Sequence, residues 1–89
     1  MTAERVAEIR ARLEEAFTPS ALEIEDESHK HAGHAGARDG RGHFRVRIVS
    51  SRFAGAGKLE RHRMVYAALG TLMQTDIHAL SVTALESGD

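Results

Sequence analysis

The stretch HFRVRIVS, residues 43–50, constrains the fold more than any other in this chain. Its apolar residues Phe44, Val46 and Ile48 alternate with Arg45 and Arg47. A period of two places the apolar set on one face and the arginines on the other, the pattern of a strand with one buried side. ALEIEDES, residues 21–28, repeats it, with Leu22 and Ile24 facing one way and Glu23 and Glu25 the other. Two such strands so close in the chain predict an antiparallel hairpin. Their connection, residues 29–42, is rich in histidine, glycine and charge. It is longer than ordinary hairpin loops, and loops of that length are often functional.

The flanking segments read as helix and strand. Val6, Ile9, Leu13 and Phe17, with Ala16 beside them, recur at helical spacing over residues 3–17. Thr2 is the N-cap candidate, and Thr18-Pro19 ends the helix because a residue preceding proline is pushed out of helical geometry. SRFAGAG, residues 51–57, is a connection, and residues 58–74 read as a second helix. Its expected stripe is Leu59, His62, Tyr66, Leu69 and Met73, widened by Val65 and Leu72. Gly70 weakens that helix by about 1 kcal/mol relative to alanine, with close packing as a candidate reason. IHALSVTAL, residues 77–85, reads as a third strand with Leu80, Val82 and Ala84 on one face. Residues 86–89 are expected to be a disordered tail.

The order α-β-β-α-β predicts a two-layer α/β domain, a three-stranded mixed sheet covered on one face by helices. A strand that follows a helix can lie parallel to its neighbour through a crossover. The 89 residues fit a single domain with its core at about residues 4–85.

Cysteine is absent, which excludes disulfides, thiolate metal sites and cysteine nucleophiles from this chain. No apolar run approaches the length of a membrane span, about 20 residues. The N-terminal run MTAERVAEIRARLEEAF alternates charges and does not look like a signal peptide, so a cytoplasmic location is expected. The net charge of −1 hides a division: −4 over residues 1–30, +6 over 31–63 and −3 over 64–89. A basic middle block suits an anionic partner, although charge runs usually serve only as a solvated face.

The six histidines are the main carriers of chemistry. His29, His31 and His34 lie in or beside the long loop, His43 opens the second strand, His62 sits in the second helix and His78 opens the third strand. Imidazole suits Zn, Cu, Fe and Ni. His78 shares the parity of Leu80, Val82 and Ala84, so its ring is expected on the core side of the strand end, where it could meet a loop histidine. His43 and His62 read as structural. Two readings of the loop stay open at this level, a solvated Gly/His segment and a source of metal ligands. A structural zinc site is poorly supported, because four convergent ligands, often thiolates, are usual. A complete iron–sulfur site within the chain is poorer still, since thiolates normally hold the cluster.

No nucleophile elbow, phosphate loop or paired catalytic carboxylate motif is present, and no enzyme activity is expected. Nucleic-acid binding has more support. Arg52, Lys58, Arg61 and Arg63 cluster around the start of the second helix. The element order also resembles type II KH modules, although FAGAG spaces its glycines too closely for the GXXG grip.

DES at 26–28, His31, HFRVRIVSSRFAG at 43–55, RHRMVY at 61–66 and IHAL at 77–80 together resemble the BolA family, over about residues 4–85. The resemblance implies a type II KH-like fold and a non-enzymatic protein that forms a heterodimer with a monothiol CGFS glutaredoxin. In such pairs a bridging 2Fe–2S cluster is held by the glutaredoxin cysteine, a glutathione thiol, the histidine of the HAL motif and a loop residue. Here these are His78 and a loop histidine, for which His31 and His34 compete because the loop carries an extra AGH. The isolated protein is then expected to hold no cofactor. Histidine in place of thiolate removes negative charge and raises the reduction potential, as in Rieske centres, and makes ligation sensitive to pH. The implied roles are iron–sulfur cluster trafficking or iron homeostasis, with no membrane and no small-molecule substrate. The alternative implied by the family is a transcriptional regulator of morphology and stress responses that binds DNA through Arg52, Lys58, Arg61 and Arg63. A third hypothesis is a protein that binds Zn, Ni or Cu through the histidine loop without a partner.

Overall fold

The computed structural model describes residues 2–27 and 42–87. The loop histidines His29, His31 and His34 lie outside the described residues, as do residues 88–89. Helix α1, Thr2–Phe17, leads into strands β1, Ala21–Asp26, and β2, Gly42–Val49. A 3-10 turn at Ser51–Phe53 follows, then α2, Lys58–Leu69, the one-turn helix α3, Leu72–Thr75, and β3, Ile77–Leu85.

The three strands form one mixed sheet in the order β1-β2-β3. The hairpin is antiparallel, with Leu22 opposite Ile48 and Ile24 opposite Val46, and β3 runs parallel to β2. The α/β class and the mixed sheet expected from the sequence are therefore present. Phe44, Val46 and Ile48 are buried against Ile9, Leu13 and Phe17 of α1 and Val65 and Leu69 of α2. On the other face, Glu23 lies opposite Arg47 and Glu25 opposite Arg45. Ion pairs join Arg47 to Glu23 at 3.6 Å and Arg45 to Glu27 at 3.2 Å. Glu23 of β1 and Glu27 just after it thus offset part of the basic middle block.

Two helix ends are set by backbone geometry. Helix α1 stops at Thr18, which has a φ of 44° and donates its N–H to the Glu14 carbonyl at 3.0 Å. The single helix expected over 58–74 is instead two, because Gly70 adopts φ 55°, ψ −128°. A side chain there would be strained, and a Cβ would lie 3.3 Å from Arg12 Nη1. Arg12 uses the space to donate from Nη1 to the Leu69 carbonyl at 3.0 Å, closing the end of α2.

The expected stripe of α2 is also corrected. Val65, Leu69 and Leu72 are buried, and Met64, Ala68 and Met73 pack against the core. Leu59 and Tyr66, expected inside, are 63% and 40% exposed. The helix is rotated so that position 61 lies toward the sheet. Arg61 fills that place by donating to the carbonyls of Ala56 at 2.7 Å and Ala84 at 3.0 Å.

Candidate functional site

The register of β2 against β3 holds the key to His78. His43 faces Ala79 and Phe44 faces Leu80, but Gly42 faces Ile77. Two residues of β3 are spent against one of β2, and His78 is the extra one. Such a bulge kinks a strand and re-aims a side chain. Parity alone places His78 with Leu80, Val82 and Ala84. The bulge gives the inward place to Ile77, which is buried, and turns His78 out to an exposed position. The expectation of a core-side His78 is thus overturned by one inserted residue.

The exposed His78 ring lies against His43. The ring centroids are 5.2 Å apart and the planes tilt by 48°. His43 shares the outer-face parity of Arg45 and Arg47, is half-buried, and has its Nε2 shielded from solvent. The backbone fixes this corner from both sides. Gly42 donates its N–H to the Asp76 carbonyl at 2.8 Å, and Glu27 donates to the His43 carbonyl at 2.7 Å. The segment carrying His29, His31 and His34 therefore leaves the sheet at Glu27 and rejoins it at Gly42, next to His78.

Asp76 anchors the turn before β3. Its carboxylate accepts from the Thr75 hydroxyl and, at 3.2 Å, from Arg5 Nε of α1. The Thr75 hydrogen bond holds its pKa below the ordinary 3.8, and the Arg5 guanidinium adds to this against an opposing effect of burial.

The sequence reading took His43 as structural, and the structure adds that its ring lies beside His78. That placement was readable in part: the outward parity of Arg45 and Arg47 extends back to His43, and pairing β2 with β3 brings it to the HAL segment. His62 lies elsewhere, lining a cleft between the start of α2 and β3. Among the described residues no three or more histidines or carboxylates converge as a metal cage. The chain also has no thiolate. The donor set fits a group held jointly with a partner: His78 offers an exposed imidazole on a fixed backbone, and sulfur would have to come from outside.

The nucleic-acid candidates divide. Arg52, Lys58 and Arg63 are exposed. Arg61, with 18% of its side chain exposed, is committed to two carbonyls and, at 3.3 Å, to Glu86. No helix among the described residues is long and apolar enough to cross a membrane.

Comparisons with known proteins agree with this architecture. The family model described as "BolA-like protein" matches residues 13–88. Mouse BolA-like protein 1 is 47% identical over 78 residues, 88% of this chain and 55% of that protein. The chain thus spans about half the length of that relative. The Escherichia coli DNA-binding transcriptional regulator BolA is 45% identical over 78 residues, 83% of this chain and 71% of that protein. Among solved structures, the BolA domain of SufE1 from Arabidopsis thaliana superposes with a TM-score of 0.81 at 41% identity, covering 91% of this chain and 90% of that one. These relatives are named as BolA-like proteins or as a regulator, and none of the three names is that of an enzyme. With SRFAG, RHRMVY and HAL each in place on the matching fold, the chain belongs to the BolA family.

Proposed function

We propose that this protein is a non-enzymatic partner of a cytoplasmic monothiol CGFS glutaredoxin and shares a bridging 2Fe–2S cluster with it, in iron–sulfur cluster trafficking or iron homeostasis. The observation that carries this reading is the exposed His78 imidazole, turned out by the bulge and set beside His43 at the two ends of the histidine-bearing segment. A ligand for a shared cluster must face a partner, and His78 is exposed. In this reading His78 would hold one iron, and His31 or His34 would supply the second imidazole. Cysteine of the glutaredoxin and glutathione would supply the thiolates this chain lacks. When bound, the cluster supplies one-electron redox chemistry and transferable iron and sulfide. The chain's own contribution is to present imidazole nitrogen at a fixed position.

Anaerobic reconstitution of the protein with a CGFS glutaredoxin and glutathione, followed by visible circular dichroism, tests the reading. A spectrum distinct from that of glutaredoxin alone, with a 1:1 complex, is expected, and its loss in His78→Ala. Only the glutaredoxin's own cluster spectrum in the wild-type mixture would overturn it.

The second reading is DNA binding, favoured by the name of the Escherichia coli relative and by the exposure of Arg52, Lys58 and Arg63. Because Arg61 holds α2 to β3, Arg52→Ala and Arg63→Ala are the cleaner tests. In this reading each lowers the salt dependence of DNA affinity, as loss of a phosphate contact does. An unchanged salt slope in both variants would exclude those contacts.

A further inference from the structure

We infer that the open edge of β3 is a docking site for an extended acidic segment of a partner protein, which adds to the sheet as a fourth strand. The inference does not depend on cluster binding. Among the described residues, β3 has a strand on one side only, since β2 is central and β3 terminal in the sheet. An edge strand presents backbone donors and acceptors to any incoming chain, and proteins usually blunt such edges with charge, proline or shortness. Strand β3 is nine residues long, IHALSVTAL, with neither Lys, Arg, Asp, Glu nor proline. Its irregularity is confined to the His78 end.

The direction of the backbone groups can be assigned. The Leu85 carbonyl accepts from Ser50 N–H on the β2 side, whereas the Ala84 carbonyl accepts from Arg61. Successive residues of a strand alternate sides, so Leu80 and Val82 aim their N–H and C=O groups outward with Ala84. That two-residue repeat of donor and acceptor matches a peptide main chain in β-augmentation. A nucleic acid offers no such repeat, which favours a peptide.

The side chains along this edge indicate what the peptide carries. A cleft beside Val82, Thr83, Ala84 and Leu85 is lined by the start of α2, including Lys58, Arg61 and His62. Gly57, the N-cap of α2, provides no side-chain cap, so the positive end of the helix adds to this cationic wall. Arg61 already turns toward Glu86, whereas Lys58 is exposed. Among the described residues Leu59 and Tyr66 are the large apolar side chains left exposed, and His62 lies one helical turn from each on the same face. The edge, the cationic cleft and the apolar pair are thus continuous through His62. An acidic side chain would meet Lys58 and the helix start, and an apolar side chain two residues along, on the same face of the added strand, would cover Leu59 and Tyr66.

The test uses the full chain labelled with 15N and, as probe, a nine-residue peptide in which glutamate and valine alternate along each face of the strand. Three controls accompany it: the same peptide with lysine for glutamate, a version N-methylated at alternate residues, and a single-stranded oligonucleotide. The expected result is saturable movement of the Leu80 and Val82 amide signals and of the first turn of α2. Binding should weaken about tenfold in Lys58→Glu, and in the lysine peptide, and vanish with the N-methylated one. Lys58→Glu replaces an exposed residue, and unchanged spectra away from the site will show that the fold is intact. Absence of saturable binding, equal binding of the N-methylated peptide, or tighter binding of the oligonucleotide at the same amides would each overturn the inference. So would movement of these signals with protein concentration alone, which would assign the edge to a second copy.

Discussion

His43 and His78 stand 5.2 Å apart, ring to ring, because one residue is inserted in β3 where it begins to pair with β2. The two play different physical parts. His78 is exposed, whereas His43 is half-buried with a shielded Nε2. Replacing His78 by alanine should therefore change stability by less than about 0.5 kcal/mol, the range for surface positions, while removing the mixed-cluster spectrum. His43→Ala should cost about 1 kcal/mol by loss of packing at the sheet corner, and leave a cluster spectrum altered in shape. Urea unfolding of both variants, beside their reconstituted spectra, separates the roles. A destabilised His78→Ala would show that its loss of signal reflects folding and not ligation.

The alternation of ALEIED and HFRVRIV was legible because a period of two admits one buried face, and the pairing of Leu22 with Ile48 follows from it. The stripe Ile9, Leu13, Phe17 was equally plain and is buried in α1. The outward turn of His78 was not legible, because an inserted residue inverts parity without leaving a composition mark. The break at Gly70 was half legible: the glycine was noticed, but neither its positive φ nor the approach of Arg12 from α1 to the space beside it leaves a mark in the local sequence. Leu59 and Tyr66 misled because apolar residues at helical spacing describe two overlapping stripes, and the glycine break and Arg61 decide which one faces the sheet.

Asp76 gives the fold a dependence on pH. Thr75 and Arg5 lower its pKa below 3.8 in the folded protein, so the folded state favours the ionised carboxylate. Its contribution to stability is complete above the unfolded value and is lost as pH falls through the lower, folded value. Asp76→Asn should therefore be less stable than wild type near neutrality, and the difference should shrink once the pH drops below 3.8. Chemical denaturation over a pH series reads this directly. A gap that stays constant down to the acid limit would mean that charge at Asp76 contributes nothing.

Thr18 holds a conformation that suits glycine. A β-branched residue at φ 44° crowds its own carbonyl, and α1 ends there because Pro19 bars a further turn. Thr18→Gly should raise stability by about 1 kcal/mol, the approximate cost of left-handed geometry for a residue with a Cβ. The gain will be reduced by the added freedom of glycine in the unfolded chain. Thermal unfolding of Thr18→Gly beside Thr18→Ala makes the comparison. Alanine keeps the Cβ and should show no such gain.

Among the described residues Ser50 is the one polar residue in the buried set, and its position explains why. Its hydroxyl donates to the Phe17 carbonyl at 2.7 Å and accepts the Arg52 N–H at 3.1 Å. One oxygen thereby ties the end of α1 to the 3-10 turn after β2, directly over the packed pair Phe17 and Phe53, whose ring centroids are 4.8 Å apart. Alanine would remove both hydrogen bonds and leave a buried carbonyl without its donor, a loss of about 1–3 kcal/mol. Threonine keeps the hydroxyl but adds a methyl to a fully packed place, so it should restore part of the loss. Equilibrium unfolding of Ser50→Ala and Ser50→Thr measures both. If the two lose equally, volume and not hydrogen bonding selects serine at this position.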